Sequence, residues 1–259
     1  MKKILLTFFS IGCIACTPIK QSTIDTTLQT KVDSILQNKM SEINAISGQA
    51  IVMDMAGNVK AMVGNDRKQP SSLMRPISLH KALETGKVHL SDTVDTEEGI
   101  AFINGDTIKD HNWHRGGYGK ITLKQGLAFN SSIAVAKATQ MAGVESVDSL
   151  VTPLEMLKLF NGIIKNDSLK SALKYYITDG LGQQASSEKV EVAGFSGRST
   201  ISEKNPERIE YAVEFIGYFP ADAPKYSIIV SMNKIGLPAS GGLMAGSVFK
   251  DIVDCIPTK

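Results

Sequence analysis

Strand-like segments lie near both ends of this chain, and helix-like segments fill the stretch between them. The first, QAIVMDMAGNVKAMVG at residues 49–64, has two apolar runs around a turn at AGN. After residue 190 three more follow, which read VEVAGFSG, IEYAVEFIGYF and YSIIVSMN. This order predicts an α/β fold of the α+β type, in which both chain ends form one antiparallel sheet that is faced by helices and carries a helical middle.

The helices are predicted from apolar residues at helical spacing. Asp25 and Thr122 are candidate N-caps, and Gly86 and Gly143 are candidate stops. The predicted helices cover residues 25–45, 72–85, 123–129, 131–142, 152–165 and 241–256. The polar, turn-rich stretch 89–120 is predicted to be irregular.

The bulk composition fits an ordinary globular protein, with 42% hydrophobic and 21% charged residues. The net charge is +2 and the basic residues are scattered, so nucleic acid is not an expected partner. A length of 259 residues suits one large domain or two small ones. Because no repeat or linker divides the body of the chain, we expect a single domain over residues 25–259.

The N-terminus combines the basic MKK with an apolar run of 12 residues, ILLTFFSIGCIA, which is too short to span a bilayer. Ala15 stands directly before Cys16, an ending that resembles a bacterial lipoprotein signal over residues 1–16. A tether at 17–24 would then follow the lipidated Cys16, and the protein would be exported and anchored facing the periplasm. Cys13 is the other candidate for lipidation, and a plain cleaved signal is the alternative. Cys255, the one cysteine of the body, is expected to be a small buried residue.

Several segments, in this order, resemble the transpeptidase domain of penicillin-binding proteins. PSSLMRP, residues 70–76, stands where that family has P-G-S-T-F-K-P. GYGKITLKQGLAFNSSIAVAKATQMAG, residues 117–143, resembles the stretch that bears the S-x-N motif, and VTPLEMLKLFNGIIKND resembles the helix that begins TPLQM. VEVAGFSGRST, residues 190–200, lies where the family has VAGKTGTA. The resemblance covers roughly residues 23–256.

The resemblance implies a serine acyl-transfer site with Ser72 at the nucleophile position. All three motifs are altered: S-x-x-K ends in Arg75, S-x-N is Asn130-Ser131-Ser132, and K-T-G is Phe195-Ser196-Gly197. The implied oxyanion hole uses the backbone N–H groups of Ser72 and Arg198. The implied substrate-binding positions are Arg75, Asn130, Ser132, Phe195, Ser196, Gly197 and Arg198.

These changes remove the groups that the implied chemistry needs. A serine hydroxyl requires a base, and Arg75 stays protonated in proteins. Asn130 removes a relay hydroxyl, Ser132 removes a substrate-gripping amide, and Phe195 removes the cation that meets the substrate carboxylate. We therefore expect a catalytically degenerate protein that binds a peptidoglycan stem peptide or a cell-wall synthesis protein. The alternatives are a weakly active transpeptidase, carboxypeptidase or β-lactamase that uses Ser72, with β-lactams as ligands, and a decayed copy without activity.

Simpler interpretations stand beside these. Without the resemblance, Ser72 is a helix N-cap and Arg75 is a surface ion-pair partner. His111 and His114 with Asp110 have poor spacing for a metal site, so neither metal nor cofactor is expected. Trp113 either stacks on a sugar or peptide or pins its own loop.

Overall fold

The structure is a computed structural model that describes residues 23–67, 71–145, 151–202 and 208–257. The predicted signal with Cys13 and Cys16, and all of the tether except residues 23 and 24, lie outside these ranges, so those predictions stay predictions. Within the described part of the chain, no helix is long and apolar enough to cross a membrane.

The chain forms nine strands in the described residues. In chain order they are β1 Ala45–Asp54, β2 Val59–Val63, β3 Thr93–Asp95, β4 Ile100–Ile103, β5 Asp106–Lys109, β6 Lys120–Thr122, β7 Ala193–Ser202, β8 Glu210–Phe219 and β9 Tyr226–Ile235. Its α-helices are α1 Thr26–Ile43, α2 Met74–Glu84, α3 Leu123–Ala128, α4 Ser132–Ala142, α5 Pro153–Ile163, α6 Asp167–Thr178 and α7 Gly246–Cys255.

Both chain ends build one five-stranded antiparallel sheet, with the strand order β2-β1-β9-β8-β7. This confirms the predicted fold class. Helices cover both faces of the sheet: Phe249 of α7 packs on Phe215 of β8, and Phe160 of α5 packs on Tyr218. Since residues 215 and 218 point to opposite faces of a strand, α7 and α5 lie on opposite sides. Helix α1 packs against the N-terminal strand pair and against α7.

The prediction that residues 89–120 are irregular is wrong. Strand β3 pairs with β6, and β4 pairs with β5. The β4–β5 hairpin turns at Asn104-Gly105, both with positive φ (53° and 92°). An Asn-Gly pair is a strong hairpin turn signal. Ala101 and Ile103 of this hairpin pack on Ile133 of α4.

Several helix boundaries follow the predicted caps, but α2 begins at Met74 instead of residue 72, and α6, Asp167–Thr178, was not predicted. Asp25 caps α1, and Thr122 forms a capping box with Gln125 at the start of α3. The predicted closing helix is instead a π-helical turn, Gly241–Ala245, followed by α7. Cys255 is only partly buried, because it sits at the last turn of α7, near the surface.

Candidate functional site

The first part of the site is the contact between the turn before α2 and strand β7. The backbone N–H of Arg198 on β7 donates a 3.0 Å hydrogen bond to Ser72 Oγ. A Cβ at Gly197 would lie 2.8 Å from both Leu73 Cγ and Ser71 Oγ. Only glycine at position 197 therefore lets β7 approach the Ser72 turn this closely.

Ser72 is not the N-cap of α2, which corrects the simpler interpretation. Leu73 occupies the cap position, without a side-chain capping bond. The Ser71 hydroxyl accepts from the Leu73 N–H at 3.1 Å, and the Ser71 and Ser72 carbonyls accept from Met74 and Arg75. Because backbone groups and Ser71 hold the turn, the Ser72 hydroxyl is directed to β7 instead of the helix.

Arg75 links α2 to the loop before α4. Its Nη1 donates to the Asn130 backbone carbonyl at 2.8 Å and also to Asn130 Oδ1, and its Nη2 donates to Ser132 Oγ at 2.5 Å. Asn130 Nδ2 in turn donates to the Ser196 carbonyl at 3.4 Å. Arg75 is therefore an internal connector, and the expectation of a surface ion pair is wrong: its side chain points inward along α2, away from surface carboxylates.

The charge state of Arg75 follows from its surroundings. Burial lowers the pKa of the guanidinium to about 10, while the nearby Asp110 carboxylate opposes that shift. The group is still cationic at neutral pH. It is thus unable to take the Ser72 proton.

The side chains of Phe195 and Ser196, at the position of the K-T-G motif, are buried. Phe195 is fully buried, with its ring 4.7 Å from the ring of Tyr176 on α6. Ser196 is also buried, and its hydroxyl is hydrogen-bonded to the Tyr176 hydroxyl. Both side chains are therefore engaged by Tyr176 on α6, and their implied role in substrate binding stays a prediction. Burial raises the Tyr176 pKa to about 12, so it remains a neutral phenol.

The S-x-N position is organised by Asp110. The Ser131 hydroxyl donates to Asp110 Oδ2 at 2.7 Å and accepts from the Ala134 N–H at 3.0 Å, as the N-cap of α4. Asp110 Oδ1 accepts from the Ile133 N–H at 3.1 Å. Asp110 is buried and holds this loop through these hydrogen bonds. No cluster of His, Cys, Asp or Glu suited to a metal ion occurs among the described residues.

An aromatic group borders the same loop. Tyr118 stacks on Phe129 with ring centres 5.2 Å apart, and its hydroxyl donates to the Phe129 carbonyl. His111 Nε2 lies 3.2 Å from the Tyr118 hydroxyl. Burial lowers the His111 pKa, with the cationic Arg115, Arg75 and Arg198 contributing, so the imidazole is neutral at pH 7. Trp113 is 46% exposed beside His114.

Two site residues were not found by sequence reasoning, Tyr176 and Tyr118. Tyr176 has no motif around it, and only α6 brings it to Ser196. Tyr118 follows a run of glycines in GGYG, where nothing in the local pattern indicates a partner. The structure brings together Ser72, Arg75, Asn130, Ser132, Gly197 and Arg198.

Solved structures identify the fold, whereas no family model and no curated protein matches the chain. The transpeptidase domain of penicillin-binding protein 3 from Burkholderia pseudomallei superposes with a TM-score of 0.78 at 18% identity, over 92% of this chain and 96% of that one. A peptidoglycan glycosyltransferase from Burkholderia ambifaria gives 0.74 at 19% identity, over 89% and 94%. A peptidoglycan synthetase from Bifidobacterium adolescentis gives 0.76 at 14%, over 89% and 60%. The chain therefore has the fold of penicillin-binding-protein transpeptidase domains, as the ordered segments predict.

Proposed function

We propose that this chain is a lipid-anchored protein of the bacterial cell envelope that binds a peptidoglycan stem peptide or a cell-wall synthesis protein and does not catalyse acyl transfer. The observation that carries this proposal is the position of Arg75. It stands three residues after Ser72, where the resemblance implies a basic lysine, and it is hydrogen-bonded to Asn130 and Ser132.

We expect no turnover because the site, in its described residues, lacks a group that accepts the proton of the Ser72 hydroxyl. Attack by Ser72 requires a group that accepts its proton, and such a base contributes about 10²–10⁴-fold in rate. Arg75 is protonated at neutral pH and its donors face Asn130 and Ser132. Phe195 has no charge and its ring is buried, so it offers no cation to a substrate carboxylate.

Binding does not require those side chains. Strand β7 lies at the edge of the five-stranded sheet, where an extended peptide is able to pair with the backbone. The Arg198 N–H, which now meets Ser72 Oγ, is a backbone donor suited to a carbonyl oxygen of a bound peptide. A peptide ligand is therefore compatible with the altered motifs.

A second candidate function is a weakly active acyl-serine enzyme. It is favoured by the Ser72 hydroxyl, which is directed to a backbone donor, and by a neutral His111 in the loop that borders the site. This candidate is separated from the first by acylation of Ser72, described in the Discussion.

The binding proposal is tested by co-sedimentation of the protein, without its predicted signal and tether, with purified peptidoglycan sacculi. We expect wild type to sediment with sacculi, and Arg198→Pro, which removes the β7 donor, to lose most of this binding. Arg67→Ala, at an exposed position paired with Glu155, is the surface control and should bind normally. Because proline is able to disturb β7 more widely, circular dichroism and the melting temperature of Arg198→Pro are measured alongside. Failure of wild type to bind either sacculi or soluble stem peptide would contradict the peptidoglycan form of the proposal.

A further inference from the structure

A cavity of about 540 Å³ lies between the β4–β5 hairpin and helices α2 and α4. Arg75 and Ser132 line it, while neither Ser72 nor any residue of β7 does. The cavity is therefore separate from the Ser72–β7 contact, and Arg75 is the cationic side chain among its described lining residues.

The guanidinium of Arg75 has hydrogen-bonding capacity to spare. It carries five N–H donors, and the bonds to Asn130 and Ser132 use three of them. The Nε–H and one Nη2–H have no acceptor among the described residues. With two donors unused, the guanidinium is able to bind a carboxylate, an acceptor that arginine recognises through paired hydrogen bonds.

No carboxylate of the described residues forms an ion pair with Arg75. The charge of the Asp110 carboxylate acts on Arg75, but its two oxygens accept from Ser131 and Ile133. A partly buried cation whose neighbouring carboxylate is already engaged favours an anionic group from a ligand.

The remainder of the cavity suggests what is attached to that anion. Ile103 and Ile108 of the hairpin contribute an apolar wall, and Asp106 and Glu145 contribute two exposed carboxylates. A ligand that carries one carboxylate, one ammonium group and a small apolar side chain matches all three features. A volume of about 540 Å³ is within the range of about 300–1,000 Å³ that small-molecule sites occupy.

We propose that this cavity binds a small zwitterion, an amino acid or a short peptide, with its carboxylate on Arg75 and its ammonium group at Asp106 and Glu145. This site is separate from the edge of β7, and the proposal does not depend on peptidoglycan binding there. The ligand would also hold Arg75 in its connection to Asn130 and Ser132.

The test is isothermal titration calorimetry of the wild-type protein with three probes: the dipeptide alanyl-leucine, its C-terminal amide, and its N-acetyl derivative. We expect the dipeptide to bind, and each modified probe, which lacks one of the two charges, to bind at least tenfold more weakly. Absence of heat or saturation with the dipeptide up to about 10 mM, or equal affinity for the dipeptide and its amide, would overturn the proposal. This comparison uses the unchanged protein, so it does not depend on any variant folding.

Variants then locate the site. Asp106→Asn combined with Glu145→Gln should weaken the dipeptide at least fivefold and leave the N-acetyl probe unaffected, since that probe has no ammonium group. The control pair Asp167→Asn with Glu191→Gln, at exposed carboxylates elsewhere, should change nothing. If both pairs had the same effect, the dipeptide would be responding to net charge and the assigned cavity would be wrong. Sacculus binding is measured in parallel, so a failure of this site is distinguishable from a failure of the proposed function.

Discussion

Arg75 Nη2 lies 2.5 Å from Ser132 Oγ, and the neighbouring Nη1 of the same guanidinium donates to Asn130. One side chain therefore joins the first and second altered motifs. Asn130 extends the connection to the backbone of Ser196 in the third. The residues at these positions fit one another, because Arg75 carries only donors and Asn130 and Ser132 supply the acceptors.

Removing this connector should destabilise the fold. Arg75→Met takes three hydrogen bonds from a partly buried loop, and a charged hydrogen bond contributes about 1.5–3 kcal/mol. We expect the free energy of unfolding in urea to fall by about 2–4 kcal/mol. Arg67→Met, which breaks an exposed ion pair with Glu155, should cost no more than about 1 kcal/mol. Equal small losses in both variants would show that Arg75 is not a structural connector.

Gly197 should be intolerant of a single methyl group. In Gly197→Ala the new Cβ would meet Leu73 and Ser71 at 2.8 Å, so β7 and the Ser72 turn must separate. Overpacking of this kind costs about 1–3 kcal/mol, and urea unfolding measures it. Gly162→Ala is the matched control, because no neighbour lies within 4 Å of its Cβ and alanine favours the helix. A Gly197→Ala protein as stable as Gly162→Ala would contradict the close contact.

His111 should titrate below its ordinary range. Burial and the cationic Arg115, Arg75 and Arg198 lower its pKa below 6.5 in the folded protein. The unfolded chain then binds a proton first as the pH falls, so the contribution of His111 to stability is present above pH 6.5 and is lost as the pH drops towards the folded pKa. NMR titration of the imidazole Cε1–H, assigned with His111→Gln, measures this directly. An apparent pKa above 6.5 would contradict the described environment.

Membrane attachment should depend on Cys16. The residue follows a basic start, an apolar run and Ala15, so we expect metabolic labelling with a fatty acid to mark wild type and not Cys16→Ser. Cys255→Ser, which leaves the N-terminus intact, is the control and should remain labelled. If Cys16→Ser kept the lipid and Cys13→Ser lost it, the lipidated residue would be Cys13.

Replacing Phe195 with lysine, the residue of the K-T-G motif, should strongly destabilise the fold. Phe195 is fully buried against Tyr176, and a large-to-small change of a core phenylalanine alone costs about 3–5 kcal/mol. Phe195→Lys also places a cation in the core, so we expect the variant to unfold or aggregate, as judged by its melting temperature. Phe195→Leu should remain folded. A well-folded Phe195→Lys protein would mean that a side chain at position 195 is able to reach solvent.

The sheet was predictable because its evidence is local. Each strand of the β1–β2 pair, and each of the three C-terminal strands, carries its own apolar run. The two groups join in one sheet through the pairing of β1 with β9. The β4–β5 hairpin was missed although Asn104-Gly105 is a hairpin turn signal, since the segment that follows the turn, DTIK, is mostly polar. The caps at Asp25 and Thr122 depend on near neighbours in sequence and were found.

The site was predictable in its positions and not in its contacts. The ordered segments placed Ser72, Arg75, Asn130 and Arg198 together, and the structure brings them together. The inward direction of Phe195 and Ser196 depends on Tyr176, which comes from a helix without a motif. A side chain that is buried by a partner about 20 residues away in sequence leaves no local pattern by which to recognise it.

The most direct test of the central claim is acylation of Ser72 by a labelled β-lactam, read as intact mass. The proteins compared are wild type, Ser72→Ala, and the triple variant Arg75→Lys, Asn130→Ser, Ser132→Asn, which supplies a possible base, a relay hydroxyl and an amide. We predict no covalent adduct on wild type, because Arg75 is unable to accept the serine proton, and at most slow formation of one on the triple variant. A stoichiometric adduct on wild type that disappears in Ser72→Ala would contradict the account and establish an active acyl-serine enzyme.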